Sequence, residues 1–336
     1  PPDPTTIKIF DPCCGSGHIL VYAFTVLEQI YRTAGFAAQD IPELILRHNL
    51  YGLDLDPRAA TLPTLAVLLR ARLSDPTILH RPIAQTWCCH SFPDPAAFPR
   101  SLLDTPPTVA LQDQAHTLFD HFTLGQDFGS LLLPAATDFS TLTQYLAPTN
   151  PLSTYLSPYL TVHQLLADHY DFVITNPPYL RSTLMNQPLK NYLKDNFTDF
   201  KADTFAAFIY RSTLWLKPQG RLALMTPSNW LHATTFQPLR QFILQHLRLN
   251  TLIQPAPGSF FSEAAVDVCA SVFQPLSAPT TSAQPAPARP GSATTTFLRL
   301  TTKTSMPEQG RLLQRYLHGP SAQPSAATAS DPPTVH

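Results

Sequence analysis

Ile7-Lys8-Ile9-Phe10-Asp11-Pro12-Cys13-Cys14-Gly15-Ser16-Gly17 begins as a β-prone apolar run and breaks into a glycine loop, after which an apolar helical pattern runs from Ile19 to about Tyr31. Strand, glycine loop and helix in that order place backbone without side chains at the carboxyl end of a strand, where doubly wound sheets bind ligands. The dinucleotide fingerprint G-x-G-x-x-G is incomplete, because Leu20 stands at its third glycine. A second strand, Asn49 to Asp54, follows a short helical stretch from Pro42 to His48, and Pro57 opens another helix to about Arg72. Asp54 then ends its strand where a ribose-binding carboxylate belongs, with helix capping as its competing role; Asp56 is assigned the cap. The expected fold class is α/β, a Rossmann-like, mostly parallel doubly wound sheet.

Further along, residues 74–169 read as a proline-rich elaboration with short helical runs such as Val109 to Phe122. Regular architecture returns with the strand Tyr170 to Thr175, which runs into Asn176-Pro177-Pro178-Tyr179 and a loop at 181–203 rich in Asn, Lys and Asp. A helix from Thr204 to Leu216, a turn at Lys217-Pro218-Gln219-Gly220, a strand from Arg221 to Thr226 and a helix from about Thr235 to Leu247 complete the pattern. One catalytic domain is expected over 1–276. A Pro/Ala/Ser/Thr tract at 277–295 reads as a disordered linker, 296–318 as a strand and helix, and 319–336 as a loose tail.

Composition excludes more than it selects. No basic segment precedes an apolar stretch, and no apolar run is long enough to span a bilayer, so a membrane protein or secretory precursor is not expected. Five cysteines, an odd count without framework spacing, argue for a reducing compartment and a cytoplasmic location. The pairs Cys13-Cys14 and Cys88-Cys89, the latter before His90, lack the spacing of converging zinc ligands, and no metal is expected. The formal net charge of −1 gives no support for a nucleic-acid partner. Within 181–221, however, seven cations (Arg181, Lys190, Lys194, Lys201, Arg211, Lys217, Arg221) face three acids (Asp195, Asp199, Asp203). The chain opens on Pro1 rather than methionine and reads as a fragment.

The most specific feature is Asn176-Pro177-Pro178-Tyr179 directly after a buried strand. Two prolines fix the backbone direction and make a rigid acceptor site. The Asn176 carboxamide oxygen and the Pro177 carbonyl can both accept hydrogens from an exocyclic amine, aiming its lone pair, while Tyr179 offers a stacking face to an extruded base.

These stretches, Asp11 to Gly17, Tyr51-Gly52-Leu53-Asp54 and Asn176 to Tyr179, resemble motifs I, II and IV of N6-adenine DNA methyltransferases, in the gamma-type order. His18 to Phe24, Leu53 to Ala60, Phe128-Gly129-Ser130-Leu131 and Ala202 to Ile209 resemble the PglX-type methyltransferases of BREX phage defence, and the likeness extends over about 7–275. The resemblance implies S-adenosyl-L-methionine as cofactor and double-stranded DNA as substrate, with other phage-defence subunits as partners. It implies that Asp11, Cys13, Gly15 and Gly17 line the methionine end of the cofactor, Asp54 its ribose and Asp127 its adenine amino group. Asn176, Pro177, Pro178 and Tyr179 are implied as catalytic, and Phe261 as the second stacking face. Cys13 departs from the small residue, often alanine, usual at its position. The helix bearing motif X and a target-recognition domain are expected to lie outside this stretch, which predicts weak cofactor binding and little sequence specificity for the stretch alone. A methyltransferase acting on a glutamine side-chain amide, a cytosine-N4 methyltransferase and a noncatalytic DNA-binding or assembly subunit remain as alternatives. The long elaboration and the post-motif loop speak against the first, Asn rather than Ser before the prolines against the second, and the intact cofactor motifs against the third.

Overall fold

A computed structural model describes residues 3–80, 89–123, 125–146, 150–256, 267–276 and 295–300, together with 308, 309, 311 and 313. The chain packs as two compact units, Pro1–Gly220 and Arg221–His336, a division that the reading of one domain over 1–276 does not draw.

In the first unit, β1 (Ile9–Asp11) leads through the glycine loop into α1 (His18–Thr33), α2 (Ile41–His48) and β2 (Leu50–Asp54), and α3 (Pro57–Ser74) then leads to β3 (Cys89–Ser91). β1 pairs in parallel with β2 (Phe10 opposite Tyr51), and β2 pairs in parallel with β3 (Leu53 opposite His90). The elaboration is helical: α4 (Val109–His121), α5 (Gly125–Phe128), α6 (Ser140–Tyr145) and α7 (Ser153–Ala167). The chain then returns as β4 (Tyr170–Thr175), parallel to the other side of β1 (Phe10 opposite Val173). Strand order therefore reverses between β1 and β4, and the carboxyl ends of these two strands flank a topological switch point.

α1 buries Leu20, Phe24, Leu27 and Tyr31, spaced at helical period, against the sheet. Ile41, Ile45, Val67 and Ala71 from α2 and α3 join the same core. The close approach of α3 to the loop depends on Gly17, whose φ is +83° and where a Cβ would stand 2.4 Å from Pro63 Cβ. α8 (Gln187–Asn196) occupies part of the segment expected as a loop, and α9 (Thr204–Leu214) follows it. β5 (Leu216–Pro227) begins earlier than expected: Lys217 to Gly220 is strand, not turn, and Lys217 Nζ pairs with Asp171 at 2.7 Å.

The second unit takes in the end of β5, α10 (Gln237–His246), β6 (Leu247–Gln254), β7 (Val268–Pro275) and β8 (Thr296–Arg299). β7 pairs antiparallel with both β5 and β6, and β8 is parallel to β6. β8 is the strand expected after the linker. Residues 277–294 and 319–336 lie outside the described residues. No helix among the described residues is long and apolar enough to cross a membrane.

Candidate active site

A cavity of about 420 Å³ opens at the carboxyl ends of β1, β2 and β4, within the range of small-molecule sites. Asp54, Asp127 and Asn176, from three separate motifs, line it together with Pro12, Cys13 and Pro178, and Leu55, Phe128, Leu131 and Phe208 supply apolar walls. A larger, open depression of about 920 Å³ lies beside Lys8 and Leu50, at the amino ends of β1 and β2, and none of the expected site residues line it.

β1 delivers Asp11 fully buried, at 0% exposure, with Oδ1 accepting the Cys13 N–H at 3.2 Å. Burial raises its pKa to about 7, the nearby Asp54 charge adds to the rise, and the Thr175 hydroxyl and Cys13 N–H oppose it. Although Thr175 is near enough to favour the charged form, neither its Oγ1 nor Asp11 Oδ2 completes a hydrogen bond. Burial also pushes the Cys13 thiol up, with the Asp11 and Asp54 charges adding to the effect.

β2 delivers Asp54, whose Oδ2 accepts the Gly15 N–H at 2.8 Å and whose Oδ1 accepts the Asp56 N–H at 3.1 Å. Each carboxylate oxygen has further lone-pair capacity, so both can still accept hydroxyl hydrogens. Asp56 caps α3, its Oδ1 accepting the Arg58 N–H at 2.8 Å. Gly15 and Gly17 both have positive φ; the first anchors the loop to Asp54 and the second admits α3. Asp11, Gly15, Gly17, Pro177 and Tyr179 are not among the residues that line the cavity.

β4 delivers the Asn-Pro-Pro-Tyr loop. Its Asn176 is exposed, and the Tyr179 hydroxyl donates to Asn176 Oδ1 at 2.6 Å. The loop is fixed from behind by residues that lie in the quoted stretches but to which the sequence assigns no role. Thr204 Oγ1 donates to the Pro178 carbonyl at 2.6 Å, and the buried Asp203 Oδ1 accepts the Leu180 N–H at 3.0 Å while capping α9. Burial raises the Asp203 pKa, and its backbone donors hold the rise in check. The available signal was Asp203-Thr204 ahead of an apolar helical run, a capping signature. Ser130 plays a similar part on the other wall, donating to the Pro12 carbonyl at 2.6 Å. Phe261 lies outside the described residues.

The positive window is thinner than the sequence count. Arg211 is buried, bonded to the Leu166 carbonyl at 2.9 Å and lying over the Trp215 ring at 4.1 Å, and Lys217 is paired with Asp171. Before β5, Arg181, Lys190, Lys194 and Lys201 remain unburied, against Asp195 and Asp199.

A cavity at the switch point of a doubly wound sheet, with Asp54 from the end of β2 and Asp127 from α5 on its wall, lies where α/β folds of this kind bind ligands. Comparison with known proteins gives the family: residues 48–261 match the Eco57I restriction-modification methylase description, and the chain belongs to that family. It is 32% identical over 290 residues to the adenine-specific methyltransferase BrxX of Escherichia coli O9:H4 (strain HS), covering 77% of this chain and 24% of that protein. It is 27% identical over 256 residues to the adenine-specific methyltransferase PglX of Lacticaseibacillus casei (strain Zhang), covering 70% and 21%. The chain thus spans about a quarter of the length of these relatives. Among solved structures, the Type ISP restriction-modification enzyme LlaGI, in complex with a DNA substrate mimic, superposes with a TM-score of 0.50 at 11% identity. That match covers 92% of this chain and 23% of LlaGI, and shows a shared fold.

Proposed function

We propose that this chain is the catalytic part of a site-specific DNA methyltransferase that transfers a methyl group from S-adenosyl-L-methionine to N6 of an adenine swung out of double-stranded DNA. Its setting is a phage-defence system of BREX or restriction-modification type. The observation that carries the reading is the meeting of Asp54, Asp127 and Asn176 on one cavity wall. The names of the relatives, adenine-specific methyltransferases both, support the choice of base.

The residues present fit the cofactor. Asp54 has acceptor capacity for a pair of ribose hydroxyls, Asp127 can accept an exocyclic amine, and Leu55 and Phe128 present apolar faces to a purine. Asp11 Oδ2, buried without a hydrogen bond, is an acceptor held close behind the loop that would hold the methionine end. When bound, S-adenosyl-L-methionine supplies a methyl group on a sulfonium, ready for direct displacement.

The chain's own part is placement. Asn176 Oδ1 and the Pro177 carbonyl accept the two amine hydrogens, which directs the nitrogen lone pair and stabilises the positive charge that the nitrogen gains. Asp203 and Thr204 keep that loop from yielding when the amine enters. Tyr179 stacks on the base, and the family resemblance implies Phe261 as a second stacking face. Arg181, Lys190, Lys194 and Lys201 offer charge to the phosphate backbone.

The test is transfer of a tritiated methyl group to unmethylated DNA by the chain with its native flanking segments, followed by nucleoside analysis. N6-methyladenine is the expected product. Labelled protein with unlabelled DNA would replace the reading with amide methylation.

A further inference from the structure

We propose that Asn186 is a positioning residue for the cofactor's adenine, its side-chain amide holding the Asp127 carboxylate in the orientation that offers one oxygen to the adenine amino group. The inference rests on the reading of Asp127 given above and adds the residue that aims it.

Asn186 uses both ends of its amide. Oδ1 accepts the Leu189 N–H at 2.9 Å and caps α8, while Nδ2 donates to Asp127 Oδ1. Turning the amide over would set Nδ2 against a backbone N–H and Oδ1 against a carboxylate, two repulsive contacts, so the partners fix its orientation. Engaging Oδ1 alone removes the carboxylate's freedom to rotate and presents Oδ2 as the remaining acceptor.

The cap is delivered to Asp127 by a seated helix. Leu189 lines the same cavity as Asp127. The Tyr192 ring stacks on Phe128 at 4.0 Å and 16°, and its hydroxyl accepts the Leu133 N–H at 2.9 Å. The Asn186 cap and Tyr192 of α8 thereby both engage the segment 127–133. Asn186 also lies on the stretch that leaves the Asn-Pro-Pro-Tyr loop, so the base-gripping loop and the residue that orients Asp127 belong to one short run of chain.

The experiment compares binding of S-adenosylhomocysteine and S-inosylhomocysteine, which lacks the amino group, by titration calorimetry of the chain with its native flanking segments and of its variants. Asn186→Ser keeps a capping oxygen but is too short to reach Asp127, and Asn186→Asp keeps the cap while setting carboxylate against carboxylate. The wild-type chain should prefer the adenosine form, Asp127→Ala should abolish the preference, and Asn186→Ser should reduce it about fivefold, the value of one hydrogen bond. Asn186→Asp should reduce it at least as far. Because the preference is a ratio within each variant, a general loosening of the fold cancels. A full preference in both Asn186 variants with none in Asp127→Ala overturns the inference and leaves the Asp127 reading standing. A preference untouched by Asp127→Ala, or no binding of either nucleoside to the wild-type chain, overturns that reading and the inference with it.

Discussion

Replacing Asp11 by Asn should make the protein more stable at alkaline pH and change the shape of its stability profile. Asp11 is fully buried, and its pKa lies at about 7 against an ordinary value of 3.8. Between those values the folded state keeps a proton that the unfolded state releases, so stability falls as pH rises from about 4 to about 7 and levels off above. The gap corresponds to about 4 kcal/mol at ~1.4 kcal/mol per tenfold change, an upper value because the denatured chain is not fully extended and water reaches real interiors. Asn carries the same shape without a charge, and its Oδ1 can still accept the Cys13 N–H. Urea titrations of both proteins at half-unit steps from pH 4 to pH 8.5 read the difference directly, other titrating groups cancelling between the two. The advantage of Asp11→Asn should be near its minimum at pH 4 and grow by about 2–4 kcal/mol by pH 8. A difference constant within about 0.5 kcal/mol across the range would refute the assignment of a buried, proton-holding carboxyl, since it falls below the change expected from linkage.

Other expected outcomes concern the loop, the glycine turn and the buried cation. Asn176→Ala should lower kcat by at least ~100-fold, by analogy with loss of an oriented charge-stabilising group, while S-adenosylhomocysteine affinity by calorimetry stays within a few-fold; retained turnover would sink its role. Asp203→Ala removes an acceptor for the Leu180 N–H and the cap of α9, and should cost about 1–2 kcal/mol of stability together with a fall in kcat. Asp203→Asn, which keeps an acceptor, should recover most of both in the same urea and methyl-transfer assays. Gly17→Ala forces a positive φ and a Cβ against Pro63, and should destabilise by about 3 kcal/mol in thermal melts. Arg211→Ala takes the Arg211 donor from the Leu132 carbonyl and one of two donors from the Leu166 carbonyl, which keeps the Trp215 Nε1–H, and strips the Trp215 face, for a loss of about 3 kcal/mol by the same measure.

Much of the site was legible because it is built from strand ends. Asp11, Asp54 and Asn176 each close an apolar run, and a parallel sheet gathers the carboxyl ends of its strands, so linear motifs become neighbours without knowledge of side-chain packing. What escaped has physical causes. α7 holds Pro158 at its sixth position, where a helix loses a hydrogen bond, yet the burial of Leu156, Tyr159, Leu160, Val162, Leu165 and Leu166 outweighs it. α8 is short and polar, and its helical state depends on the Asn186 cap and on seating against Phe128, the second supplied by the fold. Its sequence signal, Asn followed by Gln-Pro, is brief. Antiparallel β6 and β7 owe their pairing to partners distant in sequence, and the lack of clear alternation in Leu247 to Gln254 hid the strand.

The hydroxyl of Tyr179 resting on Asn176 Oδ1 takes one of that oxygen's two lone pairs and holds the carboxamide in orientation, leaving the second lone pair to accept. Under the proposed function an incoming amine adds a hydrogen bond there without displacing the tyrosine, as it does at the Pro177 carbonyl, each worth about 1 kcal/mol net. Stacking, worth about 1–3 kcal/mol for any of the four bases, would add to residence of a base in the proposed site. On that reading a base without the amine forfeits those two hydrogen bonds but keeps the stacking, so it would still enter, more weakly, and leave unmodified. On the proposed function the choice of adenine would be divided between binding and the rate of the chemical step, where the amine is the nucleophile, so that equilibrium binding would register only part of it.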